Sequence, residues 1–150
     1  MAEGSASIVI NRPASEVFDA ITDITRMGEW SPECTGGRWL DPATGPAVGA
    51  KFEGDNAACL GPLTLKRWTT TSEITECTPD RVFEFVAEGH TTWRYELTER
   101  DGATSVTESF GHEPYVGWQK YVYGMLGQRE KGMVKGMKQT LARMKTTLET

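Results

Sequence analysis

Three side chains in the second half of the chain could perform acid–base chemistry, and they are Glu108, His112 and Glu130. Glu130 falls within the apolar stripe of a predicted helix, so it either faces the interior or reaches solvent at the mouth of a cavity. A carboxyl or an imidazole beside a reacting carbon can act as a general acid or base. We expect these three residues to be the candidate catalytic groups, although no nucleophile–base pair is evident in the sequence.

Glu108 is the strongest of the three candidates. It alternates with Val106 and Phe110 along a predicted strand, and these apolar neighbours indicate a buried face. A buried carboxylate is costly unless it is paired or protonated, so we expect a raised pKa. Pairing with a cation such as Arg67 would lower the pKa instead, and a β-bulge would turn Glu108 towards solvent.

Elements of two kinds must position these groups. Residues 7–10 are typical of a first strand, Pro13 opens a helix with apolar residues on one face, and residues 26–30 predict a second short helix. Apolar and β-branched runs separated by turn residues then predict strands at 38–40, 50–56, 63–77, 82–87, 92–98 and 104–112. Asp101-Gly102 is typical of a tight hairpin turn. About seven antiparallel strands must bury one face, and a final helix is the natural cover.

The final helix is predicted over about residues 124–149. Its apolar stripe recurs at three- and four-residue steps, with Leu126, Met133, Met137, Leu141, Met144 and Leu148. Lys131, Lys135, Lys138 and Lys145 are expected to form a solvated face. A site for anionic membranes is the alternative for this face.

Alternation along the strands also assigns the pocket-lining side chains. In residues 93–97, for example, the aromatic and aliphatic positions face inward and the charged positions face outward. An aromatic, glycine-rich segment lies before the last helix and could act as a mobile gate over the pocket. The predicted ligand-binding residues are Phe52, Asn56, Trp68, Thr70, Ser72, Phe85, Trp93, Tyr95, Glu108, Phe110, Trp118, Tyr123, Met133 and Met137.

Composition excludes several functional classes. The chain has 150 residues and a net charge of −5, which favours one domain over residues 1–150 and argues against nucleic-acid binding. Three widely spaced cysteines and two histidines predict no metal site and no cofactor. The amino-terminal residues lack a secretory pattern, so we expect a cytoplasmic protein. We also expect a monomer or homodimer, with membrane contact absent or transient.

Seven segments together resemble a known superfamily. They are residues 12–18 (RPASEVF), 22–23 (TD), 28–33 (GEWSPE), 48–52 (VGAKF), 94–97 (RYEL), 106–108 (VTE) and 136–141 (GMKQTL). The chain is identified as similar to the START/birch-pollen-allergen (SRPBCC) superfamily, in its bacterial polyketide cyclase/dehydrase-like branch. The resemblance implies an α+β helix-grip fold, in which a curved antiparallel sheet wraps a long carboxyl-terminal helix and two short helices follow the first strand.

The resemblance leaves three functions open. The leading hypothesis is a carrier or sensor that binds a hydrophobic small molecule, lipid or polyketide-like, in an internal pocket. The alternative is a polyketide cyclase or dehydratase that uses a cavity carboxylate, so whether the chain is an enzyme stays open. A further alternative is a protein-interaction or toxin-like module, which would show an exposed apolar patch instead of a deep cavity.

Overall fold

The computed structural model describes residues 2–32, 34–60, 62–112 and 129–150. In chain order the elements of this part are β1 (Ala2–Ile10), α1 (Ala14–Thr22), a 3₁₀ helix (Ile24–Arg26), α2 (Met27–Trp30), β2 (Cys34–Trp39), β3 (Lys51–Leu60), β4 (Leu63–Thr78), β5 (Val82–Ala87), β6 (Thr91–Arg100), β7 (Ala103–His112) and α3 (Arg129–Leu148). None of the described helices is long and apolar enough to cross a lipid bilayer.

Seven antiparallel strands form one curved sheet in the order β1-β7-β6-β5-β4-β3-β2. Consecutive strands from β2 to β7 are neighbours, with β2 at one edge of the sheet. β1 forms the other edge and pairs with β7. The turn between β6 and β7 has positive φ angles at Asp101 (55°) and Gly102 (80°), as a two-residue hairpin requires. The predicted α+β helix-grip architecture is confirmed.

Helix α3 covers the concave face of the sheet with its apolar stripe. Met137, Leu141 and Met144 are almost fully buried there, at 2%, 1% and 0% exposure. They share one core with apolar side chains from α1, α2 and the sheet. Lys145 departs from the predicted solvated face, because its Nζ donates to the Val9 carbonyl at 2.8 Å and pairs with Glu149. Lys135 and Lys138 are exposed as predicted.

Several elements are longer than the sequence pattern predicts. β1 begins at Ala2 because residues 2–6 pair with residues 108–112 of β7, although the aliphatic run covers only residues 8–10. β3 continues to Leu60 because residues 57–60 pair with β4. β2 begins at Cys34, before the two glycines. The predicted start of the last helix at 124 lies outside the described residues.

Two glycines allow the short helices to lie directly on β2. A Cβ at Gly28 would come within 2.4 Å of the Thr35 carbonyl oxygen, and one at Gly37 within 2.6 Å of the Ile24 carbonyl oxygen. Any side chain would separate the two layers. This close approach fixes the position of Cys34 at the start of β2.

Candidate functional site

A cavity of about 830 Å³ lies between the concave face of the sheet, the short helices and α3. Small-molecule sites usually measure roughly 300–1,000 Å³. Of the residues predicted to line it, the structure brings together Phe52, Asn56, Trp68, Thr70, Ser72, Phe85, Trp93, Tyr95, Glu108, Met133 and Met137. The cavity is therefore large enough for a ligand, and its wall combines aromatic, aliphatic and polar groups.

Glu108 is the buried polar centre of this wall. It lies on the inner face of β7 and is 4% exposed. Tyr95 stands directly opposite on β6, and its hydroxyl donates a hydrogen bond to Glu108 Oε1 at 2.8 Å. The other carboxyl oxygen, Oε2, is buried and has no hydrogen-bond partner among the described residues. One oxygen is thus held by the protein and the other is left for a further partner.

Burial raises the pKa of Glu108 to about 7, because the charged form loses its hydration. The Tyr95 hydrogen bond favours the carboxylate and opposes this shift, but the effect of burial is larger. The predicted raised pKa agrees with this direction. Near neutral pH the group exists in both forms, so it can donate a hydrogen bond or accept one.

Tyr95 is held in its neutral form. Burial and the neighbouring Glu108 carboxyl raise the pKa of its phenol well above the ordinary value, and the Cys34 thiol adds to this shift. Cys34 itself is 7% exposed, and its Sγ–H contacts the Gly36 carbonyl at 3.1 Å. The tyrosine is therefore a stable hydrogen-bond donor, beside a thiol from the opposite edge of the sheet.

A second polar group lies on β3 and β4. The side-chain amide of Asn56 donates to the Thr70 hydroxyl and to the Gly54 carbonyl, both at 3.2 Å. Ser72 is two residues further along β4 and is buried on the same face. These groups can orient a second oxygen or nitrogen of a ligand.

Aromatic rings form the apolar part of the wall. Phe52 and Phe85 meet edge to face with ring centroids 5.1 Å apart, and Phe83 lies 5.6 Å from Phe85. Trp30 closes the cavity from α2 and is 3% exposed, with the Arg26 guanidinium 4.8 Å above its ring. Such surfaces favour the burial of apolar ligand atoms.

Phe110 departs from its predicted place. It shares a face with Glu108 but is not among the described residues that line the cavity. Its ring lies 5.6 Å from the Trp93 ring, and Gly4 packs closely against both Phe110 and Val134. Phe110 therefore belongs to the hydrophobic core beside β1.

The alternative in which Arg67 pairs with Glu108 does not occur. Arg67 is exposed on β4, and the hydrogen-bond partner of Glu108 is Tyr95. Trp118 and Tyr123 lie outside the described residues, and so do the side chains of the catalytic candidates His112 and Glu130.

Several cavity-lining residues were missed from the sequence, among them Ile24, Met27, Trp30, Cys34, Thr91 and Met144. Cys34 was interpreted only as a buried small residue. Thr91 is buried, and its hydroxyl lies 2.8 Å from His90 Nδ1. Among the described residues, no three His, Cys, Asp or Glu side chains come together as a metal site would require.

The curved sheet, the helix that it wraps and the cavity between them define a helix-grip protein. The sequence profile of the family described as polyketide cyclase/dehydrase and lipid transport matches residues 1–149. The chain therefore belongs to this family, within the START/birch-pollen-allergen superfamily.

Solved structures share the fold. The polyketide-cyclase-like protein Cgl2372 of Corynebacterium glutamicum is 31% identical, with a TM-score of 0.67 over 98% of this chain and 91% of its own. The protein KanY is 13% identical, with a TM-score of 0.72 over 99% of this chain and 98% of its own. DynU16, a putative protein of the dynemicin biosynthetic locus, is 16% identical, with a TM-score of 0.65 over 99% of this chain and 47% of its own. No curated protein sequence matches the chain.

Proposed function

We propose that this protein binds an apolar small molecule, lipid-like or polyketide-like, in the cavity and serves as its carrier or sensor. The main support is the combination of a cavity of about 830 Å³ with a buried carboxyl oxygen, Glu108 Oε2, that lacks a partner among the described residues. An unpaired buried polar group is costly, and a ligand that supplies the missing hydrogen bond recovers that free energy. A carbonyl or hydroxyl group at one end of an apolar ligand fits this position.

The family description and one of the structural relatives agree with this class of ligand. The family description includes lipid transport, and DynU16 is encoded in a biosynthetic locus. The wall of this chain is mostly apolar, with polar groups at Glu108–Tyr95 and at Asn56–Thr70. A ligand with separated polar groups on an apolar skeleton would satisfy both.

Binding can be tested with the neutral fluorophore 1-N-phenylnaphthylamine. We expect saturable binding of one molecule per chain, with energy transfer from Trp30, Trp68 and Trp93, which line the cavity. Gly136→Leu narrows the cavity from α3, where a Cβ would make only ordinary contact with Pro32 at 3.7 Å. Leucine also favours a helix more than glycine does. We expect this variant to remain folded and to bind the dye at least about tenfold more weakly.

Gly45→Leu is the matched control, because Gly45 lies in a loop with nothing within 4 Å of an added Cβ. It should bind the dye as the wild type does. Equal binding by both variants, or no binding by the wild type, would refute the proposed site.

Acid–base catalysis is the second candidate, and the pKa of about 7 at Glu108 favours it. A carboxylate at Oε2 could remove the proton next to a ketone. The resulting acid could then return this proton to a departing β-hydroxyl, so that water leaves and an enone forms. Tyr95 holds Oε1 and fixes the carboxyl during both transfers.

This candidate is tested with 4-hydroxy-4-phenylbutan-2-one, whose dehydration gives a conjugated enone that absorbs in the ultraviolet. Turnover by the wild type that is lost in Glu108→Gln, with dye binding retained, would support catalysis. Binding without turnover in either protein would favour the carrier for this substrate class.

A further inference from the structure

The hairpin of β3 and β4 extends beyond the rest of the sheet. β2 accompanies β3 only as far as Asn56, and β5 accompanies β4 only from Ser72 onwards. The four pairs from Ala57–Arg67 to Leu60–Leu63 therefore have no third strand beside them. We call residues 57–60 and 62–67 the β3–β4 arm.

The arm carries exposed apolar side chains. Leu63 and Leu65 are 60% and 61% exposed, and they lie two residues apart in β4, where its pairing with β3 shifts register between Ala58 and Cys59. Val9 on β1 and Val48 in the loop between β2 and β3 are the other large apolar residues that are exposed in the described part of the chain. Neighbouring exposed leucines on a projecting hairpin are typical of an interaction surface.

The same arm is basic, although the whole chain has a net charge of −5. Lys66 and Arg67 are exposed, and neither forms an ion pair with a carboxylate in the described part of the chain. By contrast, Arg38 on β2 forms ion pairs with Glu53 and Asp55 on β3, outside the arm. Lys66 Nζ lies 5.6 Å above the Trp68 ring, so an aromatic and a basic group meet at the base of the arm.

The arm is continuous with the cavity. Ala57 at the base of the arm and Trp68, the residue that follows the arm on β4, both line the cavity wall. A surface that receives the arm would therefore lie next to the cavity. This arrangement suits the transfer of an apolar molecule between that surface and the cavity without exposure to water.

We propose that the β3–β4 arm docks on a lipid bilayer that contains anionic lipid. Leu63 and Leu65 enter the region between head groups and acyl chains, and Lys66 and Arg67 contact the anionic head groups. Apolar area and basic charge are the two contributions that hold peripheral segments on membranes. Both are present in five consecutive residues of the arm, while the overall negative charge keeps the rest of the surface away.

Vesicle co-sedimentation tests the proposal without any cavity ligand. Vesicles of phosphatidylcholine alone are compared with vesicles that also contain phosphatidylserine. The wild type should bind the anionic vesicles more tightly and release them as salt rises. Lys66→Gln with Arg67→Gln should weaken this binding roughly 25-fold, because each basic residue contributes about fivefold. Leu63→Ser with Leu65→Ser should reduce binding to both vesicle types.

Two double variants serve as controls. Lys135→Gln with Lys138→Gln removes the same charge from exposed positions of α3, and Val9→Ser with Val48→Ser removes exposed apolar side chains elsewhere. Both should bind vesicles as the wild type does. For the α3 variant, the salt series corrects the vesicle affinity for the change in net charge. Equal loss in the α3 variant would overturn the proposal, because the helix would then be the membrane surface.

Failure of the wild type to bind anionic vesicles would also overturn it. So would concentration-dependent self-association that disappears in Leu63→Ser/Leu65→Ser, because the arm would then contact a second copy of the chain. All arm variants should still bind 1-N-phenylnaphthylamine in the cavity. If the wild type does not bind the dye, the proposed cavity function is contradicted, whereas the membrane-docking proposal for the arm is not.

Discussion

Replacing Glu108 by Gln tests the electrostatics of the cavity through the free energy of unfolding. Glutamine keeps the shape of the side chain and can still accept the Tyr95 hydrogen bond at the Oε1 position. It cannot ionise. The pH dependence that Glu108 gives to stability should therefore disappear in this variant.

The size of the effect follows from the two pKa values. The native pKa of about 7 exceeds the ordinary value of 4.5, so the folded protein keeps a proton that the unfolded chain releases between these values. Stability therefore falls as pH rises through this window, and the loss is complete above pH 7. At 1.36 kcal/mol per pKa unit, the loss amounts to about 3 kcal/mol.

Urea unfolding of both proteins at several pH values measures this difference. The stability of Glu108→Gln relative to the wild type should increase by about 3 kcal/mol from about pH 4.5 to pH 8. The control is Glu73→Gln, because the Glu73 side chain is 53% exposed on the opposite face of the sheet. Its relative stability should stay within about 0.5 kcal/mol across the range.

A constant difference between wild type and Glu108→Gln would refute the reasoning, since it would mean that Glu108 titrates alike in both states. A relative stability that decreases with pH would place Glu108 beside a cation. That outcome would contradict both the buried site and its pairing with Tyr95.

Two further variants examine the same region. Tyr95→Phe removes the hydrogen bond that lowers the pKa of Glu108, so this pKa should rise above about 7. A carbon-13 NMR titration of the Glu108 carboxyl measures it. An unchanged pKa would contradict the hydrogen bond between Tyr95 and Glu108. Trp30→Ala should reduce the free energy of unfolding by roughly 3–5 kcal/mol, because the indole is 3% exposed between α2 and the core. Unchanged urea unfolding would show that Trp30 is not an anchor.

The order of elements could be predicted because it depends on short-range patterns. Period-two alternation placed Phe52, Ser72, Phe85 and Tyr95 on one face, and each of them lines the cavity. The ends of the strands and helices were harder to predict from the sequence. Residues 57–60 join β3 only because β4 offers a partner, and no local preference of an Ala-Ala-Cys-Leu run indicates this.

The contact between Tyr95 and Glu108 could have been predicted but was missed. The two-residue turn at Asp101-Gly102 pairs Arg100 with Ala103, and counting back along both strands places Tyr95 opposite Glu108. The position of Cys34 near Tyr95 could not be predicted in this way, because β2 and β6 are not neighbours in the sheet. Their approach depends on the curvature of the sheet and on the packing of the short helices.

The most direct test of the central claim is a methyl NMR titration with 1-N-phenylnaphthylamine. Met137 and Met144 line the cavity, whereas Val9, Leu63 and Leu65 carry exposed methyl groups on the outer surface. We expect saturable shifts at the two methionines at one equivalent of dye, with the surface methyl groups unchanged. Shifts confined to the surface methyl groups, with the methionines unaffected, would contradict ligand binding in the cavity.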